Sequence, residues 1–322
     1  MRAIQISETG APDKMHLVDI PVPEPGPGQV RVTLAAAGVN FIDTYHRAGV
    51  YPMDMPLVLG KEGAGTVSAV GVGVDNLALG DRVMAPMAAA TYAEEFLAPA
   101  GATFKIPDDI DVETAAAVPL QGLTAHYLAT SSYKLESGDR CLIHAGAGGV
   151  GGLLIQMAKN AGAEVFTTVG TAEKAAIARE SGADHIIRYS EVVFADSVRA
   201  ILGPDEGLHV VYDGVGTSTF DAGLGLLRTR GTFVLFGGAS GQVPPFDLQR
   251  LNAGGSLFIT RPSLGHFIGP GEGQQRADEL LGWIAAGKLK IRIGARYSLE
   301  DAAQAHLALE GRQTIGKVIL LP

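Results

Sequence analysis

Cysteine is nearly absent from this chain of 322 residues: the only one, Cys141, lies in the apolar run RCLIHA. A single cysteine cannot close an internal disulfide or build a thiolate metal site, so we expect a buried structural thiol. Long apolar runs are missing too, since no stretch approaches the roughly 18 residues of a membrane-spanning helix. The N-terminus starts MRAIQI, without the basic and apolar segments of a signal peptide. These absences predict a cytoplasmic protein with no membrane association.

Positive charge is also scarce. The chain has 25 Lys and Arg against 34 Asp and Glu, a formal net charge of −9, and its basic residues are scattered. Without a basic stripe, a nucleic-acid partner is not expected. The 8 histidines occur singly and no G-x-S-x-G motif is present, so the sequence predicts neither a zinc site nor covalent catalysis. What remains, 47% hydrophobic and 18% charged residues, is typical of a compact protein of about two domains.

The pattern of apolar and turn residues in the sequence changes near Gly122. Before it, short β-like runs alternate with Pro-rich and Gly-rich turns, which predicts an irregular β-rich domain. After it, apolar strands alternate with helix-length amphipathic segments, which predicts βαβ units and a parallel sheet. The predicted strands of that sheet are RCLIHA, EVFTTVG, DHIIRY, LHVVYDG, GTFVLFGG and SLFIT. Helices around 277–286 and 299–309 and a closing strand GKVILLP then return to the first domain.

The ends of five predicted parallel strands define one edge of the sheet. Open parallel sheets bind ligands beyond the carboxyl ends of their strands, and glycine there lets a ligand or chain approach the backbone closely. We expect a ligand at the edge formed by these residues: Gly146, Gly170, Tyr189, Gly214 and Gly237.

The stretch HAGAGGVGG contains a G-x-G-x-x-G motif, Gly146, Gly148 and Gly151, between a strand and the helix VGGLLIQMAKNAG. In this context Gly146 is expected to permit the sharp turn and Gly148 to let the backbone approach a pyrophosphate. Gly151 is expected to allow close packing of strand and helix, and the helix N-terminus offers free N–H groups. The alternative is a tight turn that binds nothing. The surrounding βαβ pattern favours a dinucleotide.

The second strand ends at Val169, Gly170 and Thr171, without the acid that binds the ribose 2′-hydroxyl of NAD. Lys174 follows, and Arg188 and Tyr189 end the third strand. A cation at this corner suits a 2′-phosphate, so NADPH is predicted rather than NADH. Lys174 as an ordinary solvated helix lysine is the alternative.

A polar cluster, AGVNFIDTYHRAGVYP, follows an apolar strand in the first domain. Hydride transfer needs donors near the developing oxyanion, which Asn40, Tyr45 and Tyr51 could supply. The alternative is structural: Asp43 and Arg47 form a helical i, i+4 pair that fixes the loop. The acidic stretch PDDIDVET is interpreted as the capped start of a helix rather than a catalytic carboxylate pair.

Together, AGVNFIDTYHRAGVYP, VPLQGLTAHYL, HAGAGGVG, VGTAEK and FITRPSL resemble the zinc-free quinone oxidoreductases of the medium-chain dehydrogenase/reductase superfamily, the zeta-crystallin group. The resemblance implies an α/β fold: a Rossmann domain with a doubly wound parallel sheet over 124–260, and a GroES-like β-rich catalytic domain over 1–123 and 261–322. It also implies NADPH in the interdomain cleft and a homodimer paired through SLFIT. Zinc-dependent relatives carry a ligand Cys and a ligand His where this chain has Asn40 and Lys61.

The resemblance also assigns site residues by motif. Asn40, Gln121 and Thr124 would line the nicotinamide end, and Tyr45, Tyr51 and Arg261 the substrate pocket. The cofactor would be held by Gly146, Gly148, Gly149, Val150, Gly151, Gly170, Lys174, Tyr189, Gly237 and Arg312. Two departures are that Gly146 stands where many relatives have Ala, and that Lys61 has no settled counterpart.

The function implied is NADPH-dependent reduction of a quinone without a metal. No residue is an obvious proton donor, which fits an acceptor protonated from solvent. Reduction of the double bond of an enone or alkenal is the alternative, since the same site would deliver hydride to any conjugated carbonyl. A cofactor-binding structural or RNA-binding role, as in crystallin-like proteins, is an alternative of another class, and the acidic balance argues against RNA.

Overall fold

The computed structural model describes residues 1–322. Its strands, in chain order, are β1 (Arg2–Ile6), β2 (His16–Asp19), β3 (Gln29–Val39), β4 (Leu57–Val58), β5 (Glu62–Val70), β6 (Arg82–Ala85), β7 (Glu95–Pro99), β8 (Phe104–Lys105), β9 (Arg140–His144), β10 (Glu164–Val169), β11 (His185–Arg188), β12 (Leu208–Asp213), β13 (Leu227–Leu235), β14 (Phe258–Thr260), β15 (Ile293–Ser298) and β16 (Lys317–Leu321). Its helices are α1 (Phe41–Ala48), α2 (Val112–Ala116), α3 (Pro119–Tyr127), α4 (Gly149–Asn160), α5 (Ala172–Glu180), α6 (Phe194–Leu202), α7 (Phe220–Leu224), α8 (Gln249–Ala253), α9 (Glu272–Ala285) and α10 (Ala302–Glu310).

The chain divides into two compact units. Unit 1 comprises Met1–Leu123 and Phe267–Pro322, and unit 2 comprises Thr124–His266. Unit 1 therefore takes both ends of the chain, while unit 2 is one continuous segment.

Unit 1 is built on β-strands. A sheet of seven strands has the order β15-β16-β3-β5-β6-β8, with β7 paired to β3, and a small sheet has the order β2-β1-β4. The closing strand β16 lies between β15 and β3, parallel to β15 and antiparallel to β3. The hydrophobic core of unit 1 includes the buried residues Val32, Phe96 and Leu320. The C-terminal strand is thus an interior part of this unit's sheet.

Unit 2 is a six-stranded sheet in the order β11-β10-β9-β12-β13-β14, and every pairing in it is parallel. The predicted Rossmann sheet is therefore confirmed, and all six predicted strands are present. Apolar runs such as CLI in β9 are buried because helices cover a parallel sheet on both faces. The strand order reverses between β9 and β12, the switch point at which such sheets bind ligands.

Two helix predictions in unit 1 are confirmed by α9 and α10. The helix predicted after the acidic stretch is α2, and the side chain of Asp111 caps it by accepting a hydrogen bond from the Thr114 backbone N–H, 2.8 Å away. Cys141 is buried and unpaired, and burial raises the pKa of its thiol. None of the helices combines the length and the apolar character that a bilayer-spanning segment needs.

Candidate active site

The turn between β9 and α4 needs small residues at three places. Ala145, not Gly146, adopts the left-handed backbone, with φ of 58°. A Cβ on Gly146 would overlap the Thr167 hydroxyl, and one on Gly151 would overlap the Ala145 carbonyl oxygen. The sharp turn predicted at Gly146 is thus made one residue earlier, and Gly146 is required because a side chain of β10 crosses it. Gly151 allows the close packing of strand and helix that was expected.

Gly148 has a different environment. It is the N-cap of α4, with φ of −80°, and a Cβ there would meet only the Ala145 carbonyl oxygen, 3.2 Å away. No side chain caps this helix N-terminus. The first N–H groups of a helix have no intrahelical acceptor, and the helix dipole favours an anion there. The backbone of Gly148, Gly149 and Val150 therefore fits a pyrophosphate, and packing within the protein gives a weaker reason for glycine at 148 than at 146 or 151.

The structure brings Gly170 and Tyr189 together at the ends of β10 and β11. A Cβ on Gly170 would lie 2.8 Å from the Tyr189 hydroxyl, and the tyrosine is 46% exposed. The Thr171 side chain caps α5 by accepting from the backbone N–H of Lys174, which places that lysine in the first turn. Arg188 instead pairs with Glu191 at 2.6 Å. This corner offers a hydroxyl and an ammonium group to an anion.

Backbone approaches backbone at the ends of β12 and β13. A Cβ on Gly237 would reach the Gly214 carbonyl oxygen. Asp213, fully buried at the end of β12, accepts hydrogen bonds from the N–H groups of Val215 and Gly216 and from the Thr219 hydroxyl, at 2.6, 3.0 and 2.7 Å. These glycines are required by the fold, whether or not a ligand lies beside them.

A buried network of charged and amide groups occupies unit 1. The Lys317 ammonium donates to the Glu62 carboxylate and, over 2.9 Å, to Asn40 Oδ1. Glu62 Oε1 also accepts from Asn40 Nδ2 at 2.6 Å, and Glu62 Oε2 from the Leu120 N–H at 2.6 Å. Glu62 and Lys317 are 0% and 2% exposed. Breaking such a pair leaves an uncompensated buried charge, at a cost of about 3–5 kcal/mol.

Gln121 joins this network at its edge. Its Nε2 donates to Asn40 Oδ1 over 3.0 Å, while its Oε1 is buried and has no hydrogen-bond partner in the protein. An unsatisfied buried acceptor costs about 1–3 kcal/mol. Asn40 itself has no amide hydrogen to spare, because Nδ2 faces Glu62 and, at 3.4 Å, the Gly38 carbonyl oxygen. The donor role predicted for Asn40 is not supported by these contacts.

Asp43 and Arg47 do not form the alternative i, i+4 pair. Arg47 instead binds the Glu310 carboxylate with two nitrogens, at 3.0 and 2.7 Å, and His306 Nδ1 at 3.1 Å. Asp43 Oδ2 accepts from the Asn40 backbone N–H and the Tyr92 hydroxyl, at 2.9 and 3.1 Å. Burial, with a smaller contribution from Glu62, raises the pKa of Asp43 to about 7 against the opposing effects of the Asn40 N–H and Lys317.

Tyr45 and Tyr51 are brought together by α1 and the loop after it. Their ring centroids are 5.8 Å apart in an edge-to-face arrangement, and the His46 ring lies 6.1 Å from Tyr51. Burial, and next the positive charge of Lys61, lowers the pKa of His46 to about 4, so this imidazole is neutral near pH 7. Aromatic faces with a nearby cation suit a flat carbonyl compound.

Three further predicted residues are Thr124 and Arg261 in unit 2 and Arg312 in unit 1. Thr124 is buried in α3, and Arg261 is exposed, donating to the Pro262 carbonyl oxygen at 3.3 Å. Arg312 follows α10 with φ of 56°, a conformation uncommon for a residue with a side chain.

Sequence reasoning missed the buried polar residues Glu62, Tyr92, His306 and Lys317. One available signal was Lys317 at the start of the apolar strand KVILL, since a lysine among buried residues needs a partner. The sequence could not identify Glu62 as the partner of Lys317, because the two residues are 255 positions apart in the chain.

The donor set does not fit a metal. No group of three or more His, Cys, Asp and Glu side chains could hold one. Where zinc-dependent relatives have ligands, this chain has the Asn40 amide, held by Glu62 and Lys317, and the Lys61 ammonium, which has no lone pair.

Known proteins resemble this chain over its whole length. The alcohol dehydrogenase GroES-like domain family matches residues 26–135, and the zinc-binding dehydrogenase family matches residues 149–286. A quinone oxidoreductase of Pseudomonas aeruginosa is 43% identical over 328 residues, covering 100% of this chain and 99% of that protein. A 2-haloacrylate reductase of Burkholderia sp is 42% identical over 334 residues, covering 99% and 98%.

Two solved structures superpose closely on this chain over its whole length. A mycobacterial protein in complex with NADPH superposes with a TM-score of 0.97 at 50% identity, covering 100% of both chains. The quinone oxidoreductase of Escherichia coli in complex with NADPH gives a TM-score of 0.97 at 39% identity, again over 100% of both chains.

Proposed function

This chain belongs to the quinone oxidoreductase family of the medium-chain dehydrogenase/reductase superfamily, and on that premise we propose that it is an NADPH-dependent quinone reductase. The observation that carries the proposal is the uncapped N-terminus of α4 behind Gly148, in a chain similar throughout to a quinone oxidoreductase solved with NADPH. NADPH, when bound, supplies the hydride that reduces the quinone.

The residues of unit 2 bind the cofactor's phosphates. The N–H groups of Gly149 and Val150 donate to the pyrophosphate at the positive end of the helix dipole. Lys174 and Tyr189 bind the 2′-phosphate, the lysine as a cation and the tyrosine as a hydroxyl donor. The contacts of Thr124 and Gly237, which also belong to unit 2, with the cofactor stay predictions.

The residues of unit 1 receive the acceptor. Tyr45 and Tyr51 present ring faces and edges to a flat quinone. Because His46 is neutral near pH 7, Lys61 is the residue proposed to supply positive charge near the acceptor's oxygen. The reduced acceptor takes its protons from solvent.

Turnover tests this function directly. Purified protein is mixed with NADPH and 1,4-benzoquinone, and oxidation of NADPH is followed by absorbance, with NADH as the comparison coenzyme. We expect turnover with NADPH and a lower kcat/KM with NADH, because NADH lacks the group that Lys174 binds. Clear binding of NADPH without quinone turnover would reject the proposal.

Reduction of an activated carbon–carbon double bond is the second candidate. The observation that favours it is the 42% identity to a 2-haloacrylate reductase over nearly the whole chain. Comparing kcat/KM for 2-chloroacrylate and simple enones with that for quinones decides between the two candidates. A higher value for the double-bond substrates would reverse our order.

We also propose a cytoplasmic homodimer. β14 is the last strand of its sheet and pairs only with β13, while Phe258 and Ile259 on it are 59% and 37% exposed. An open edge strand with exposed apolar residues is a surface for pairing with another chain. A second copy of this chain, joined edge to edge, is the partner proposed.

A further inference from the structure

In the buried network of unit 1, the charged groups fix which atoms donate and which accept hydrogen bonds. The Lys317 ammonium has only hydrogens to offer, so the Asn40 atom 2.9 Å from it must be the acceptor Oδ1. The Glu62 carboxylate only accepts, so the Asn40 atom 2.6 Å from it must be the donor Nδ2. The two charged groups therefore determine the orientation of the Asn40 amide.

That orientation passes to Gln121. Asn40 Oδ1 accepts from one end of the Gln121 amide over 3.0 Å, so that end must be Nε2. The other end is then Oε1, the buried acceptor with no partner in the protein. A glutamine turned the other way would place two amide oxygens against each other. The arrangement thus presents an acceptor, never a donor, at this point.

We propose that Gln121 Oε1 accepts a hydrogen bond from an N–H or O–H group of the bound coenzyme or reduced acceptor, and that Glu62 and Lys317 are positioning residues that hold it in this orientation. The inference rests on the proposed function and deepens it. Two groups have the required chemistry: the amino hydrogens of the nicotinamide carboxamide and the hydroxyl of the hydroquinone product. A quinone oxygen, itself an acceptor, does not suit this position.

The first experiment compares NADPH with its reduced 3-acetylpyridine analogue, in which a methyl group replaces the carboxamide amino group. Dissociation constants are measured by fluorescence titration of the wild type and of Gln121→Met, which keeps the side-chain length and removes the acceptor. If the carboxamide is the donor, the wild type prefers NADPH by about tenfold, the value of one hydrogen bond, and Gln121→Met binds the two coenzymes equally. Gln275→Met, the same change on the exposed face of α9, keeps the preference.

The second experiment tests the other donor. The affinity for 1,4-hydroquinone is measured by calorimetry on the protein saturated with NADP⁺. If the hydroquinone is the donor, Gln121→Met weakens its binding about tenfold and leaves the coenzyme comparison unchanged. Equal weakening of NADPH and its analogue, or no change in either experiment, overturns the proposal. A wild type that does not bind NADPH at all refutes the proposed function instead.

The positioning residues are tested together, so that no buried charge is left alone. In Glu62→Gln/Lys317→Met, Asn40 loses both charged partners, and we expect the selectivity that Gln121→Met abolishes to fall in the same way. Lys317→Arg keeps a partner for Asn40 Oδ1 that can only donate, and this variant is expected to retain the selectivity. Full selectivity in the folded double variant would overturn the positioning role. If that variant does not fold, Asn40→Leu leaves the Glu62–Lys317 pair intact and removes the acceptor through which it orients Gln121, and full selectivity in that variant overturns the positioning role equally.

Discussion

His306 is a single residue whose hydrogen bonds dictate its protonation. Arg47 only donates, so His306 Nδ1, 3.1 Å away, must accept. The neutral ring then carries its hydrogen on Nε2 and donates it to the Tyr92 oxygen over 3.2 Å, and the Tyr92 hydroxyl donates to Asp43. Burial, and then Arg47, lowers the pKa of His306 to about 3. The imidazole is therefore neutral across the physiological range.

This neutral histidine predicts a loss of stability in acid. Below about pH 6.5 the unfolded chain binds a proton at His306 that the folded protein refuses down to about pH 3. The free energy of unfolding therefore falls by about 1.4 kcal/mol per pH unit as pH drops through that window. The raised pKa of Asp43 increases the free energy of unfolding as pH drops, but it does so in wild type and variant alike.

His306→Gln removes this term while keeping an acceptor for Arg47 and a donor for Tyr92. We expect the variant's deficit in unfolding free energy, relative to wild type, to shrink by about 2 kcal/mol between pH 7.5 and pH 5. Urea unfolding at the two pH values measures it. His16→Gln, at an exposed strand position, is the matched control. An identical deficit at both pH values would contradict the assignment.

At the scale of elements, the turn from β9 to α4 separates two demands on glycine. Gly151 is needed because the Ala145 carbonyl oxygen occupies the space of its Cβ, whereas Gly148 has more room and an ordinary φ. Packing therefore explains one glycine, and the proposed ligand explains the other.

The two substitutions are expected to behave oppositely. Gly151→Ala destabilises the protein by about 2–3 kcal/mol, because backbone must shift to admit the methyl group. Gly148→Ala changes stability by less than about 1 kcal/mol but weakens NADPH binding at least tenfold, since the methyl group stands where the pyrophosphate approaches. Thermal unfolding without coenzyme and titration with NADPH check the pair. Normal NADPH affinity in Gly148→Ala would remove the glycine from the phosphate site.

The edge strand β14 carries the prediction of assembly. Phe258→Lys places a charge on the open edge, and we expect a dimer to become a monomer at micromolar concentration in sedimentation velocity. Leu307→Lys is the matched control, because Leu307 is 56% exposed on α10 of unit 1. A wild type that sediments as a monomer would end the dimer proposal, and a dimer unaffected by Phe258→Lys would place the interface elsewhere.

At the scale of the whole molecule, the chain's last strand completes a unit begun by its first residues. β16 lies between β15 and β3, and its Lys317 neutralises Glu62 in the interior. Unit 1 therefore cannot form its seven-stranded sheet without β16.

Deleting residues 317–322 is expected to prevent unit 1 from folding. The deletion removes an interior strand and leaves the Glu62 carboxylate buried without its partner, a cost of about 3–5 kcal/mol from the charge alone. Near-ultraviolet circular dichroism and the cooperativity of urea unfolding report the loss, with deletion of Pro322 alone as the control. A truncated chain with the wild-type unfolding midpoint would refute the interior role of β16.

The strands, the switch from β-rich to βαβ organisation and the glycine turn were predictable, because each depends on residues adjacent in the chain. Apolar runs, turn residues and G-x-G-x-x-G spacing act over a few residues, and all six strands of unit 2 lie where the sequence predicts them. The resemblance of several motifs to a known family additionally predicted the family of this chain and its coenzyme, NADPH.

Partnerships across the chain were not predictable. Glu62 with Lys317, Arg47 with Glu310, and Tyr92 with His306 join residues hundreds of positions apart, and nothing local distinguishes these from solvated side chains. Hydrogen-bond direction and burial arise only when such residues meet in a low-dielectric interior, where each donor must find an acceptor. That is why local sequence determined the strands and the glycine turn, while folding in three dimensions decided which way Asn40 and Gln121 face.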